Sequence, residues 1–501
     1  MCPSSISASH REGVFALLSA FTTCPGLFYP TPAQDGILSR LRIPGGILNS
    51  QQCQFIASIA DNYGGGYVDV TNRANIQIRE IKQEINLEVL QGLQALGLGA
   101  ADPNIDHIRN IMTSPTAGID PQELIDTRPL VKDWDNYITT HPHFSGLSAK
   151  FSVCFDGGGN ISLSDRPNDI TFVAHLINGS IYFLLYLSFG EKGEPPRNTG
   201  IFCKPDECIS FLAALAEVYL QYINQVSSRK PRLRQIITQI GLESYLQQVQ
   251  QHFNFSFFVK HDIPQKTKHD NLYHLGIYPQ SQPGLFYIGV VLPLGRLESW
   301  QIRGLANLVT KYGDSNIRLT PWQNLLITNI PQKHVPEVKK EITALGLTIK
   351  TNNIKSALVA CSGKQGCAAS ATDTKSHALA LAEYLEKRMI LDYPISIHFT
   401  GCVKSCAKHD PSDITLVGVS LENENHQLIE SYHVYIGEDH SQKFGFQLYQ
   451  YVTFPQLLKL IENILKTYQI KRLSPKESFK EFANRYLSGF KEISFGDSPA
   501  A

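Results

Sequence analysis

Pro25-Gly26-Leu27-Phe28-Tyr29 comes back later in the chain as Pro283-Gly284-Leu285-Phe286-Tyr287. Downstream of it a register of constant offset 249 sets in: Pro44 with Pro293, Gly46 with Gly295, Leu48 with Leu297, Ala57 with Ala306. It continues through Tyr63-Gly64 with Tyr312-Gly313, and Thr71, Asn75 and Ile78 with Thr320, Asn324 and Ile327. It ends at Ala95-Leu96-Gly97-Leu98 opposite Ala344-Leu345-Gly346-Leu347. An ungapped register over about 55 residues marks a duplication. Each copy reads as strand (36–43; 285–292), helix (50–63; 299–312), strand (67–81; 317–330) and helix (86–96; 335–345). The first helix of each stops at Gly64 or Gly313, the residue type that tolerates a left-handed cap. Two such half-domains pair into one α+β layer, and the period is far too long for a solenoid.

Longer segments follow each copy, and Arg109-Asn110-Ile111-Met112-Thr113-Ser114-Pro115 lies opposite Leu358-Val359-Ala360-Cys361-Ser362-Gly363 once the offset slips to 248. The chain therefore divides into an extension (1–23), a half-domain (24–98), an α/β domain (99–265), a polar linker (266–282), a second half-domain (283–348), a second α/β domain (349–472) and a C-terminal helix with its tail (473–501). Gly157-Gly158-Gly159 between two strands reads as a hairpin turn.

At 501 residues, 43% hydrophobic and 18% charged, the chain can bury several cores. Lys plus Arg and Asp plus Glu are both 45, which argues against a general nucleic-acid or membrane-surface binder. The longest apolar run, 181–187, is far short of the roughly 20 residues of a span. No signal peptide is evident at the start, so a cytoplasmic location is expected. Ten cysteines are too few for a disulfide scaffold, and close spacings then point to metal or redox chemistry.

Four cysteines stand in two groups: Cys361 and Cys367 in ACSGKQGC, Cys402 and Cys406 in TGCVKSC. Each group follows a β-like stretch (355–360; 395–400), and an amphipathic helix over 376–388, capped by Thr372 or Asp373, crosses between them. Four thiolates at converging loop ends suit a soft metal. C-x5-C fits the zinc knuckle poorly. A 4Fe-4S cluster is the expected occupant, with Gly and Ser letting backbone N–H groups approach the sulfurs. Cys2, Cys53, Cys154, Cys203 and Cys208 lack such spacing and read as structural, as does Cys24.

C-x5-C followed by G-C-x3-C on a duplicated chain resembles the sulfite and nitrite reductase superfamily. Thr71-Asn72-Arg73-Ala74-Asn75-Ile76-Gln77 looks like its T-x-R-x-x-x-Q strand, Arg109-Asn110-Ile111 like its R-N-V, Lys150-Phe151 like the start of its K-F-K, and 230–244 like its linking helix. The resemblance implies a pseudo-twofold duplicated fold of two ferredoxin-like half-domains plus two larger α/β domains. Lys404, Val403 and Ser152 depart from the assimilatory reductases. The opening CPGLFYPTPAQDGILSRLRIPGG and Leu319-Thr320-Pro321-Trp322-Gln323 are similar to the precorrin-3B synthase branch.

That branch implies an oxygen-dependent hydroxylation of precorrin-3A in cobalamin biosynthesis. Its partners would be precorrin-3A, dioxygen and an electron donor, NADH or a reduced ferredoxin-type protein. The resemblance implies a mononuclear non-haem iron beside the cluster, its ligands open among His107, His141, His143, His175, His398 and His409. The alternatives are a sirohaem-dependent sulfite or nitrite reductase, in which Cys406 would bridge cluster and sirohaem, and a non-enzymatic carrier. Strand alternation places Arg73, Asn75, Gln77 and Arg79 on one polar face, which with Arg109 and Lys150 would grip carboxylates. Losing a lysine to Ser152 puts sulfite or nitrite reduction in doubt. The run Arg229, Lys230, Arg232, Arg234 reads as a solvated face.

Overall fold

The computed structural model describes residues 26–190, 194–224, 230–253, 255, 258–260, 273–351, 354–409, 411–422, 425–437 and 443–490. Cys2, Cys24, Arg229 and the tail from 496 lie outside them. The described chain forms two compact units, one from 26–32, 37–290 and 298–346, the other from 33–36, 291–297 and 347–490.

In the first unit the duplication is written in the backbone. Left-handed residues recur at the offset of 249: Ala74 (φ 52°) with Gln323 (59°), Glu80 (56°) with Asn329 (58°), and Gly97 (72°) with Gly346 (69°). Helices Ser50–Tyr63 and Ser299–Tyr312 have the expected limits. The expected long second strand of each copy is instead a hairpin, Tyr67–Val70 with Ile76–Ile81 and Asn316–Leu319 with Leu325–Pro331. Thr71 N–H donates to Asn75 O, and Thr320 N–H to Asn324 O, each at 2.9 Å, closing both turns alike. The alternation therefore breaks at the turn, and Arg73 stands at a tip.

The copies exchange structure. Strand Ile47–Asn49 leaves its own copy and pairs antiparallel with Asn316–Leu319 of the other, Leu48 opposite Ile317. The two matched helices meet through Gln54 Nε2 donating to Asn307 Oδ1 (3.1 Å) and Arg303 paired with Asp61 (2.7 Å). Such an exposed ion pair contributes under about 1 kcal/mol. The buried Ile56, Ile59, Ile302 and Leu305, each worth roughly 1.5–3 kcal/mol on burial, hold the helices in place. Part of the expected linker is also strand: Gly276–Pro279 pairs with Leu285–Val290.

Each unit carries one larger sheet. In the first its order is Ile111–Thr113, Val153–Asp156, Ile170–Ile177, Ser180–Leu187, Arg197–Cys203 and Phe258–Val259. In the second it is Leu358–Ala360, Ile397–Thr400, Ile414–Glu422, Leu428–Ile436 and Phe446–Thr453. In both sheets the first two pairings are parallel and the next two antiparallel. Parallel neighbours need a crossover, so Gly157-Gly158-Gly159 opens a crossover and not the hairpin turn expected of it. A long apolar helix backs each sheet: Cys208–Asn224, with Phe211, Leu215 and Tyr219 buried, and Phe454–Lys471, with Leu457, Ile461 and Leu465 buried.

Strand equivalence corrects one register. Ile111 corresponds to Leu358 and Thr113 to Ala360, an offset of 247 and not 248. Val153 corresponds to Ile397 at an offset of 244.

Candidate functional site

Leu358–Ala360 runs into Cys361, and its parallel neighbour Ile397–Thr400 runs into Gly401-Cys402. Parallel strands end on the same side, so both cysteine loops open at one sheet edge. Helix Thr374–Glu386 crosses between them, and Asp373 is its cap, its side chain accepting from Ser376 N–H. The loops are laced together: Cys361 N–H donates to Phe399 O (3.1 Å), Ala371 N–H to Gly401 O (2.8 Å), and Gly401 N–H to Cys361 Sγ at 3.3 Å. The last bond is the backbone approach to sulfur expected of these loops. A Cβ on Gly401 would fall 1.6 Å from Ser370 Oγ, so only glycine fits. Lys443 Nζ donates to the carbonyls of Val403 (2.9 Å) and Lys404 (3.2 Å), clamping the turn between Cys402 and Cys406.

The four sulfurs share one neighbourhood. Desolvation first, and then the thiols of Cys402, Cys361 and Cys367, push the Cys406 thiol above its ordinary pKa. Among the described residues no three His, Cys, Asp or Glu side chains are grouped to hold a metal ion. Four thiols on two loops at one sheet edge suit one thiolate per iron of a 4Fe-4S cluster. No ligand group for a single metal ion, zinc or the mononuclear iron expected above, occurs among the described residues. His107 Nε2–H donates to Leu147 O (3.0 Å), and burial first pushes the imidazole down to about 4. His398 is buried and pushed down to about 3, again by burial first. Cys53, Cys154, Cys203 and Cys208 are buried, and burial lifts Cys53 to about 12.

The expected anion-binding residues separate into two kinds. Asn75 is buried, its side chain accepting from Ile43 N–H (2.8 Å) and donating to Asn110 (3.2 Å). Gln77, with its amide turned, accepts from Arg40, and Arg79 is buried. Arg109 binds Asp135 through Nε and Nη2 at 2.8 and 2.9 Å. Burial alone would weaken its charge, but the Asp135 contact outweighs that and holds its pKa above the ordinary value. These four are framework, not one open polar face. Arg73 differs: Nη1 donates to Asn168 (2.8 Å) and Nη2 to Pro167 O (2.6 Å), so its turn grips the 163–168 loop. Its repeat partner Trp322 grips the same loop, with Arg166 over its ring at 5.1 Å. Lys150 is half-buried, and its only hydrogen bond among the described residues is from its backbone N–H to Ser148 (3.3 Å).

Ser152 has a plain structural role. Its N–H and Oγ donate to Asp169 at 3.1 and 3.2 Å, and Arg232 closes on the same carboxylate at 2.8 and 2.9 Å. The second unit repeats the staple: Ser396 N–H and Oγ donate to Asp413 at 2.7 and 2.8 Å. Sequence reasoning missed it, although Asp169-Ile170-Thr171 and Asp413-Ile414-Thr415 advertise the repeat. It also missed Lys443 and Thr374, which carry no motif.

Comparison with known proteins decides between the branches. The family model "nitrite and sulphite reductase 4Fe-4S domain" matches residues 104–257, and the "nitrite/sulfite reductase ferredoxin-like half domain" matches twice, at 29–96 and 278–345. A ferredoxin–nitrite reductase of Synechococcus elongatus is 30% identical over 421 residues, 82% of each chain. The ferredoxin-dependent sulfite reductase 2 of Mycolicibacterium paratuberculosis is 27% identical over 460 residues, 89% of this chain and 82% of that one. The NirA protein of Mycobacterium tuberculosis has the same fold, with a TM-score of 0.77 at 24% identity over 90% of this chain and 83% of that one. These relatives overturn the expected precorrin-3B synthase activity and its partners, precorrin-3A and dioxygen, along with monooxygenase chemistry and a place in cobalamin synthesis. Most of the opening motif that suggested that branch, from Tyr29 on, and Leu319 to Gln323 lie inside the half-domain matches. Among the described residues no helix is long and apolar enough to cross a membrane. A duplicated ferredoxin-like half-domain, a 4Fe-4S domain match and 30% identity across most of both chains place this oxidoreductase in the nitrite and sulfite reductase family.

Proposed function

We propose that the chain reduces nitrite with electrons from a ferredoxin-type protein, through a 4Fe-4S cluster held by Cys361, Cys367, Cys402 and Cys406 and a sirohaem. The observation that carries this reading is the match to a ferredoxin–nitrite reductase across 82% of both chains, with the four thiols of this chain gathered at one sheet edge. When bound, the two groups would supply electron storage and the iron at which the anion is reduced. Lys150, with no partner for its ammonium among the described residues, is the cation we assign to drawing in an anion. Ser152, bonded to Asp169, leaves this stretch one cation poorer than the K-F-K pattern. A poorer cation set favours a monoanion such as nitrite over the more highly charged sulfite.

The test is anaerobic purification with an absorption spectrum, sirohaem extraction and iron and sulfide counts, then turnover with reduced ferredoxin. Nitrite should consume donor faster than sulfite does. A full cluster and sirohaem with no donor consumed by either anion would overturn the reading, and faster turnover of sulfite would reassign the substrate.

A further inference from the structure

The surroundings of Cys361 are closely specified. Gly401 N–H donates to its sulfur at 3.3 Å. Thr374 Oγ1 lies 3.6 Å from the same sulfur and donates to Cys361 O at 2.8 Å. Thr374 is wholly buried at the start of helix Thr374–Glu386, so water does not compete for its hydroxyl.

A hydroxyl has one proton to give. Beside a neutral thiol, the carbonyl is the better acceptor. An iron-bound thiolate is anionic, and charge-assisted bonds are about twice as strong as neutral ones. The proton then has reason to turn to the sulfur. Reduction adds negative charge to cluster and ligands, so a donor aimed at Sγ stabilises the reduced form more than the oxidised form. The first unit supplies a control. Thr127, which matches Thr374 at the strand offset of 247, is equally buried, but its Oγ1 meets the Thr113 hydroxyl at 2.6 Å. The fold thus places a buried threonine at this strand end in both units, and only in the second does it face sulfur.

We propose that Thr374 is a positioning residue that raises the reduction potential of the cluster by donating its hydroxyl proton to Cys361 Sγ. This deepens the functional reading above and depends on its cluster assignment. The test is an EPR-monitored potentiometric titration of the anaerobically purified full chain and of Thr374→Val, Thr374→Ala and Thr374→Ser, with iron and sulfide counted in each. Valine and alanine should move the cluster midpoint to more negative potential, by about 59 mV for a tenfold fall in the reduced-to-oxidised ratio. Serine should keep the original midpoint. Full clusters with an unmoved midpoint in the valine and alanine variants would overturn the role of Thr374 alone. Loss of the cluster from both of these variants, with retention in serine, would make Thr374 a holding residue and overturn the tuning role. An original chain without iron and sulfide would instead remove the cluster assignment itself.

Discussion

Ser114, Asp120, Gly158 and Ser162 of the first unit stand where Cys361, Cys367, Cys402 and Cys406 stand in the second, counted from equivalent strands. The same sheet topology supports both sets, but they are finished differently. In the first unit two carboxylates close the loops. Asp120 accepts from Asn160 N–H (2.7 Å), Asn160 Nδ2 (2.9 Å), Gln122 N–H (2.9 Å) and Thr116 Oγ1 (3.2 Å). Asp156 accepts from Gly158 N–H (2.9 Å), Ser162 Oγ (2.6 Å) and Leu163 N–H (2.7 Å). In the second unit backbone bonds and Lys443 hold the loops, and the sulfurs gather together. A buried polar loop is stable when its groups are satisfied. The first unit satisfies them within the chain, whereas the second leaves a soft donor set for a cofactor to complete.

The largest expected effect breaks that contrast at its centre. Cys402→Ser should lose iron and sulfide altogether. Ser162→Cys, which adds a thiol at the position matching Cys406, should leave both counts unchanged, because Asp120 and Asp156 keep the first set of loops closed. Iron retained at full count in Cys402→Ser would refute the ligand set.

The next effect compares the two Ser–Asp staples. Asp169 also carries Arg232, so Asp169→Ala removes two guanidinium bonds as well as the two bonds from the buried Ser152. It should destabilise the chain by about 3 kcal/mol. Asp413→Ala removes only the Ser396 bonds and should cost about 1–2 kcal/mol. Urea midpoints measure both, and equal losses would mean that Arg232 adds nothing to the staple.

A third pair separates framework cations from binding ones. Lys150→Met should raise the KM for nitrite about tenfold, equivalent to about 1.4 kcal/mol, with cluster content unchanged. Arg109→Met should lower stability, because Asp135 loses the guanidinium it binds and the buried Asp106, 3.9 Å from Arg109, is left with Arg42 at 3.5 Å. A KM effect at Arg109 with unchanged stability would reverse the two assignments.

How much of this was legible depended on range. The duplication was readable because the constant offset of 249 preserves helix limits and even left-handed residues such as Ala74 and Gln323. The cysteine loops were readable because thiol spacing is local. Arg73 was misplaced because Thr71 and Asn75 close a turn inside what looks like one alternating strand, a bond that periodicity cannot register. Arg109 looked available because its partner Asp135 lies 26 residues away on another element. Ser152 looked like a lost lysine because Asp169 is reached only after a crossover. The branch was misread because a motif of the half-domain was taken for a mark of chemistry. Site identity depended on side chains paired across elements, which one sequence does not list.

The smallest effect is a pH response confined to the first unit. Glu123 follows Asp120 in the closed loops and accepts from Gly118 N–H at 2.6 Å. Burial first, then the Asp126 and Asp120 carboxylates, lifts it from 4.5 to about 8, against the pull of Gly118 N–H and Arg128. The folded chain therefore holds this proton more tightly than the unfolded chain. The associated stability is complete below about 4.5 and falls away as the pH rises through about 8. Partial exposure to solvent limits the loss to about 1–2 kcal/mol. The position matching Glu123 in the second unit is Ser370, whose Oγ donates to Thr372 O at 2.9 Å and does not titrate. Glu123→Gln, a neutral mimic of the protonated acid, should leave the urea midpoint at about pH 5 almost unchanged and raise it at about pH 8. An equal midpoint for both proteins at the higher pH would mean that Glu123 ionises freely, and that the closed loops are less dry than their hydrogen bonds imply.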